Sequence, residues 1–134
     1  MIRIIDIVNH EIENLVCEKD ELAYLSMTGK VENFIRDKIS FALHKQLIGT
    51  HLVLREWKAA GILDRTDIAV LDLNEKLVCL IELKARALPG VGKEFISSMK
   101  KDIDKMNAKS FSAEKISIVI FTNFAGTELK SIEN

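Results

Sequence analysis

The chain has 134 residues, 48% hydrophobic and 29% charged, with 19 Lys and Arg against 20 Asp and Glu. This is ordinary globular composition and the length of one domain with one core, so disorder, collagen-like repeats and a disulfide-stapled miniprotein are excluded. A net charge of −1 argues against a protein that coats nucleic acid by bulk electrostatics, but residues 1–75 carry 9 basic and 13 acidic side chains while residues 76–115 carry 9 and 5.

In chain order, Val8, Ile12, Leu15, Val16 and Leu22 form a loose helical stripe that predicts a first helix over 8–24. Val31, Phe34, Ile35, Ile39, Ala42, Leu43 and Leu47 form a cleaner one, with Thr28 as the expected N-cap and Gly49 after the last turn. The period then changes. His51 to Lys58 reads as a strand with Leu52 and Leu54 on one face and Val53 and Trp57 on the other. After a Gly-containing turn from Ala59 to Asp64, the apolar runs Asp67–Leu73 and Leu77–Ala85 are joined through Asn74–Lys76, which predicts a β-hairpin.

Helical spacing returns over 93–108 through Phe95, Ile96, Met99, Ile103 and Met106. Ile116 to Thr122 is apolar throughout, as in a strand covered on both faces. The single proline, Pro89, the lack of a linker and the lack of a repeat predict one domain over 1–134. The order α–α–β–β–β–α–β predicts an α/β fold, with a mixed four-stranded sheet and helices packed on it.

Cys17 and Cys79 lie 62 positions apart with no zinc-ligand spacing, and a reduced, cytoplasmic protein is expected. Asp6, Glu11 and Glu13 interrupt any signal-peptide core, and no apolar run is long enough for a membrane span.

The third strand departs from simple alternation. Leu77, Cys79, Ile81, Leu83 and Ala85 share one expected face, and Val78, Leu80, Glu82 and Lys84 the other. A carboxylate and an ammonium thus follow apolar residues on one face. A solvated strand end with a weak Glu82–Lys84 ion pair accounts for that by itself. The neighbouring strand adds a second carboxylate: a hairpin turning at Asn74–Lys76 sets Asp67 opposite Glu82. Two carboxylates so close repel unless a cation lies between them, and Mg²⁺ is the hard, oxygen-seeking ion that suits them. Lys84, one pleat further on, can reach the ion's water or a phosphate.

These residues resemble the PD-(D/E)xK superfamily of restriction-endonuclease-like nucleases. The likeness is carried by Asp67 in RTDIAVLD and Glu82-Leu83-Lys84 in IELKA, 15 positions apart, and by the αβββαβ order of residues 28–122. Thr66 stands where the hallmark proline often does. The resemblance implies a restriction-endonuclease-like core with an extra N-terminal helix. It also implies a Mg²⁺-dependent nuclease, with Mn²⁺ as substitute, that hydrolyses phosphodiester bonds of DNA ahead of RNA. Asp67, Glu82 and the Leu83 carbonyl would hold the metal. Glu32 on the clean helix would join them, and Lys84 would orient the attacking water. A homodimer or a partner subunit is expected, since one small domain cutting two strands is easiest as a pair. A catalytically inactive domain of the same fold, serving as a nucleic-acid-binding or scaffold subunit, is the alternative.

Glu56 and Arg65 are auxiliary candidates. Glu56 either joins the site or is a surface acid paired to Arg55 or Lys58; Arg65 either meets a phosphate or pairs with Asp64. Lys101, Lys105 and Lys109 recur every four residues, as a nucleic-acid-tracking stripe or as a solvated helix face beside Asp102 and Asp104. His10, His44 and His51 have no ligand spacing.

Overall fold

The apolar stripe expected over 8–24 belongs to two helices. The computed structural model describes residues 3–28, 31–58, 65–88 and 113–123, with 96–97, 100–101 and 103–104 between the last two. Helix α1 (Ile4–Cys17) starts earlier than expected because Ile4 and Ile7 extend the stripe of Val8 and Leu15 and are buried with it. It ends at Glu18, whose N–H donates to the Leu15 carbonyl at 3.1 Å, and α2 (Lys19–Thr28) follows. Thr28, expected to cap the next helix, is instead the last residue of α2.

Helix α3 (Val31–Leu47) buries Ile35, Ile39 and Leu43 almost completely, a spacing of four that lines one face. Each contributes about 1.5–3 kcal/mol of burial. The helix ends as its sequence predicts. Gly49 has φ +89°, a region that costs glycine nothing, and the Thr50 N–H and hydroxyl both donate to the Leu47 carbonyl, at 3.0 and 2.9 Å.

The strands are β1 (His51–Trp57), β2 (Thr66–Asp72), β3 (Leu77–Leu88) and β4 (Glu114–Asn123), in the sheet order β1-β2-β3-β4. β1–β2 and β2–β3 are antiparallel, and β3–β4 is parallel. A parallel pair needs a crossover, and residues 96–97, 100–101 and 103–104 of that connection are helical. The protein is therefore α/β, with a four-stranded mixed sheet flanked by helices. Among the described residues no helix is long and apolar enough to cross a membrane.

Helices α1–α3 cover one sheet face, where Ile68, Val70, Cys79, Ile81, Ile116 and Ile118 join the main core. The other face carries a smaller cluster of Ala69, Leu71 and Leu80, with Trp57 and Leu77 against it. Three expected facings are corrected. Val70 pairs with Cys79 but Leu71 pairs with Leu77, so β3 bulges at Val78. The bulge puts Leu77 on the smaller cluster and Val78 on the helix-covered core, the reverse of strict alternation. Likewise Val53 packs on the main core and Trp57 on the smaller cluster, because Glu56 between them adopts a left-handed backbone (φ 50°) that turns the strand. Among the described strands β4 is at the edge, and Ser117 on it is exposed, unlike a residue of a strand covered on both faces.

The hairpin turn is organised by Asp72. Its Oδ1 accepts the Asn74 and Lys76 N–H groups at 2.8 and 2.9 Å, while Glu75 takes φ 64°. This is an aspartate binding its own backbone downstream, the expected chemistry of such a turn.

Candidate active site

β3 outruns its antiparallel partner. β2 begins at Thr66, whereas β3 continues to Leu88, and their paired register ends at Ile68–Ile81. Beyond that rung, the amides on the β2-facing edge of β3 need other acceptors. Two carboxylates supply them. The Leu83 N–H donates to Asp67 Oδ2 at 2.7 Å, and the Ala85 N–H donates to Glu32 Oε1 at 3.1 Å.

Asp67 reaches this fork from β2 itself. Glu32 reaches it from the first turn of α3, which Val31, Ile35 and Ile39 press against the sheet. In a strand the N–H and C=O of one residue point to the same edge, so the Leu83 carbonyl lies between the two occupied amides.

Asp67 and the Glu82-Leu83-Lys84 stretch come from the two strands that border this fork. Carrying the Ile68–Ile81 register one step further sets Asp67 opposite Glu82. By alternation Asp67 shares a face with Ala69 and Leu71, and Glu82 and Lys84 share it with Leu80. By alternation all three fall on the face away from α1–α3, opposite the face from which Glu32 arrives. Glu82 and Lys84 are half-buried.

The auxiliary residues form a chain of charges beside the fork. Glu56 Oε1 accepts Arg36 Nη1 at 2.9 Å, and Glu56 Oε2 lies 4.0 Å from Arg65 Nη1. Asp37 Oδ1 accepts Arg36 Nε at 3.1 Å and Arg55 Nη1 at 2.9 Å. Among the described residues the partners of Glu56 are therefore Arg36 and Arg65, rather than the Arg55 or Lys58 of the surface-acid alternative. Arg65 meets Glu56 among the described residues; its expected partner Asp64 lies outside them. Burial alone raises the Asp37 carboxyl, but the hydrogen bonds from Arg55 and Arg36 outweigh it and hold the pKa below its ordinary value. The left-handed backbone of Glu56 costs about 1–2 kcal/mol in a residue with a Cβ.

Arg36, Asp37 and Arg55 are missed by the motif reading. One signal was present: Arg36 follows Glu32 by four residues on a helix, and that spacing puts both on one face. Lys101 is helical and exposed, whereas Lys105 and Lys109 lie outside the described residues.

Carboxylate and carbonyl oxygens are the donors a hard divalent ion takes, so the chemistry of Asp67, Glu32, Glu82 and the Leu83 carbonyl fits Mg²⁺. One oxygen each of Asp67 and Glu32 is turned onto an amide. Among the described residues no three His, Cys, Asp or Glu side chains are clustered as a ready ligand set. A cleft of about 330 Å³ between α1 and α3, lined by Asp6, His10, Glu11, Asn14 and Lys45 among others, shares no residue with the fork. At the fork, by contrast, two of the acids are fixed by the backbone of β3 itself.

Comparison with protein-family models, with curated proteins and with solved structures found no match for the chain.

Proposed function

We propose that this protein is a metal-dependent nuclease of the restriction-endonuclease-like, PD-(D/E)xK kind, hydrolysing DNA phosphodiester bonds in the cytoplasm. The observation that carries this reading is the fork. Asp67 and Glu32, from different elements, occupy alternate amides of β3 on either side of the Leu83 carbonyl, with Glu82 and Lys84 on the same stretch of strand. A carboxylate fixed by a backbone N–H is already oriented, so little ordering is left for the reaction to require.

Asp67, Glu82, Glu32 and the Leu83 carbonyl would hold Mg²⁺, or Mn²⁺ in its place. When bound, the ion lowers the pKa of a water and offsets charge on the scissile phosphate. The Leu83 and Ala85 amides keep Asp67 and Glu32 aimed. The Lys84 ammonium orients the attacking water and offsets negative charge as it develops at the phosphate.

The test is cleavage of single-stranded, duplex and branched DNA with Mg²⁺ and with Mn²⁺. Wild type cuts, while Asp67→Asn and Lys84→Ala do not. Equal cutting by both variants would overturn the assignment.

A second reading, a non-catalytic binding or scaffold subunit on the same fold, is favoured by the engagement of both carboxylates with amides and by the lack of a three-acid cluster among the described residues. Thermal unfolding separates the two. A live site raises the midpoint with metal concentration, and an inert one does not respond.

A further inference from the structure

Among the described residues, the charge chain beside the fork holds more cations than carboxylates. Among Arg36, Asp37, Arg55, Glu56 and Arg65, three guanidinium groups face two carboxylates. Both carboxylates are already taken at short range: Asp37 by Arg36 and Arg55 at 3.1 and 2.9 Å, Glu56 by Arg36 at 2.9 Å. Arg36 is the inner member, its side chain only 12% exposed.

Arg65 is the outer one, 71% exposed and 4.0 Å from Glu56 Oε2. An ion pair so long and so exposed holds little energy. Glu56, itself fixed by Arg36 at 2.9 Å, thus stands beside the Arg65 guanidinium without neutralising it among the described residues. Two residues later in the chain stands Asp67, which accepts the Leu83 amide in the fork. The left-handed backbone of Glu56 marks a place where local strain is tolerated to hold one side chain in position.

We propose that Arg65 binds a backbone phosphate of DNA entering the fork and that the Arg36–Glu56 pair is the positioning device that aims it. A guanidinium offers two parallel N–H donors to phosphate oxygens, which an ammonium does not. This deepens the nuclease reading by naming how the substrate is held. It rests on DNA as the ligand and does not require cleavage.

The experiment is fluorescence anisotropy of a short labelled DNA, single-stranded and duplex, titrated with the full chain in EDTA over a range of NaCl. RNA of the same sequence is a parallel arm. Arg65→Ala should weaken binding on every DNA sequence and lower the slope of log affinity against log salt by about one, the signature of one lost phosphate contact. Arg65→Lys should restore the slope but not the full affinity. Glu56→Gln separates aiming from bulk charge, because removing a negative charge tightens DNA binding unless the lost aim outweighs it; weaker binding is expected.

An unchanged slope in Arg65→Ala, or no DNA binding by wild type, overturns the proposal. Tighter binding by Glu56→Gln overturns the aiming role. Preference for RNA with the same Arg65 dependence overturns DNA as the ligand. Cleavage is scored separately in Mg²⁺ with Asp67→Asn as control. Loss of slope in a protein that never cuts leaves this proposal standing and removes the nuclease reading, and cutting with an unchanged slope does the opposite.

Discussion

β2 carries an aspartate near each end, and the two do the same thing for different purposes. Asp72 accepts the Asn74 and Lys76 amides and so closes a turn within its own neighbourhood. Asp67 accepts the Leu83 amide from 16 positions away and stands in for a ladder partner beyond the last paired rung. At the hairpin end the carboxylate finishes a local loop. At the fork it stands at an edge beside Glu82, Lys84 and a second acid brought in by α3. What separates the two acids is the company the open ladder provides.

The sharpest way to break that contrast is to neutralise each acid in turn. Asp67→Asn should lower the DNA cleavage rate by about 10²-fold or more, the scale of losing one electrostatic contributor to a transition state. Asp72→Asn should leave the rate unchanged, and an equal loss in both would erase the distinction between the two ends. Stability should follow in the same order. Asp67→Ala leaves the Leu83 amide without its acceptor and should cost about 1.5–3 kcal/mol in urea unfolding, as for a hydrogen bond to a charged group. Asp72→Ala, at an exposed turn, should cost about 1 kcal/mol.

The smallest effect sits between the ends. Cys79 pairs with Val70 in mid-ladder, and burial, with the Glu114 carboxylate adding to it, pushes its thiol up to about 12. The folded thiol keeps its proton where the unfolded chain loses it near 9.0. The contribution is therefore whole below that pH and falls away as pH rises towards 12. Cys79→Ala should flatten this alkaline decline, measured by denaturant unfolding at neutral pH and again above 9.0; an unaltered slope would show that the thiol titrates alike in both states.

Much of this was legible beforehand, and the omissions have physical causes. Alternation and turn chemistry gave the hairpin, and the hairpin gave Asp67 opposite Glu82. Glu32 entered only by resemblance, since its contact with the Ala85 amide spans 53 positions that no local pattern records. The bulge at Val78 was invisible because an apolar run reads alike whichever face each residue takes. Glu56 was named but not its backbone, as nothing in LREWK marks a left-handed residue in a strand. Arg36 finds Glu56 across 20 positions, and its role needed the packed helix.

The parallel seam between β3 and β4 has a consequence for how the chain reaches this state. Every pair in it, from Cys79 with Glu114 to Leu88 with Asn123, joins residues 35 positions apart. The β2–β3 hairpin closes over a turn of a few residues and can form in microseconds, whereas the seam must first meet the entropy of a long closed loop. The order of assembly that follows from loop length has the β2–β3 hairpin forming early and β4 zipping on later. Asp67, Glu82 and Lys84 would then already lie on paired strands while the outer edge of β3 was still bare, and that interval is when the nascent chain is most open to pairing with a neighbour.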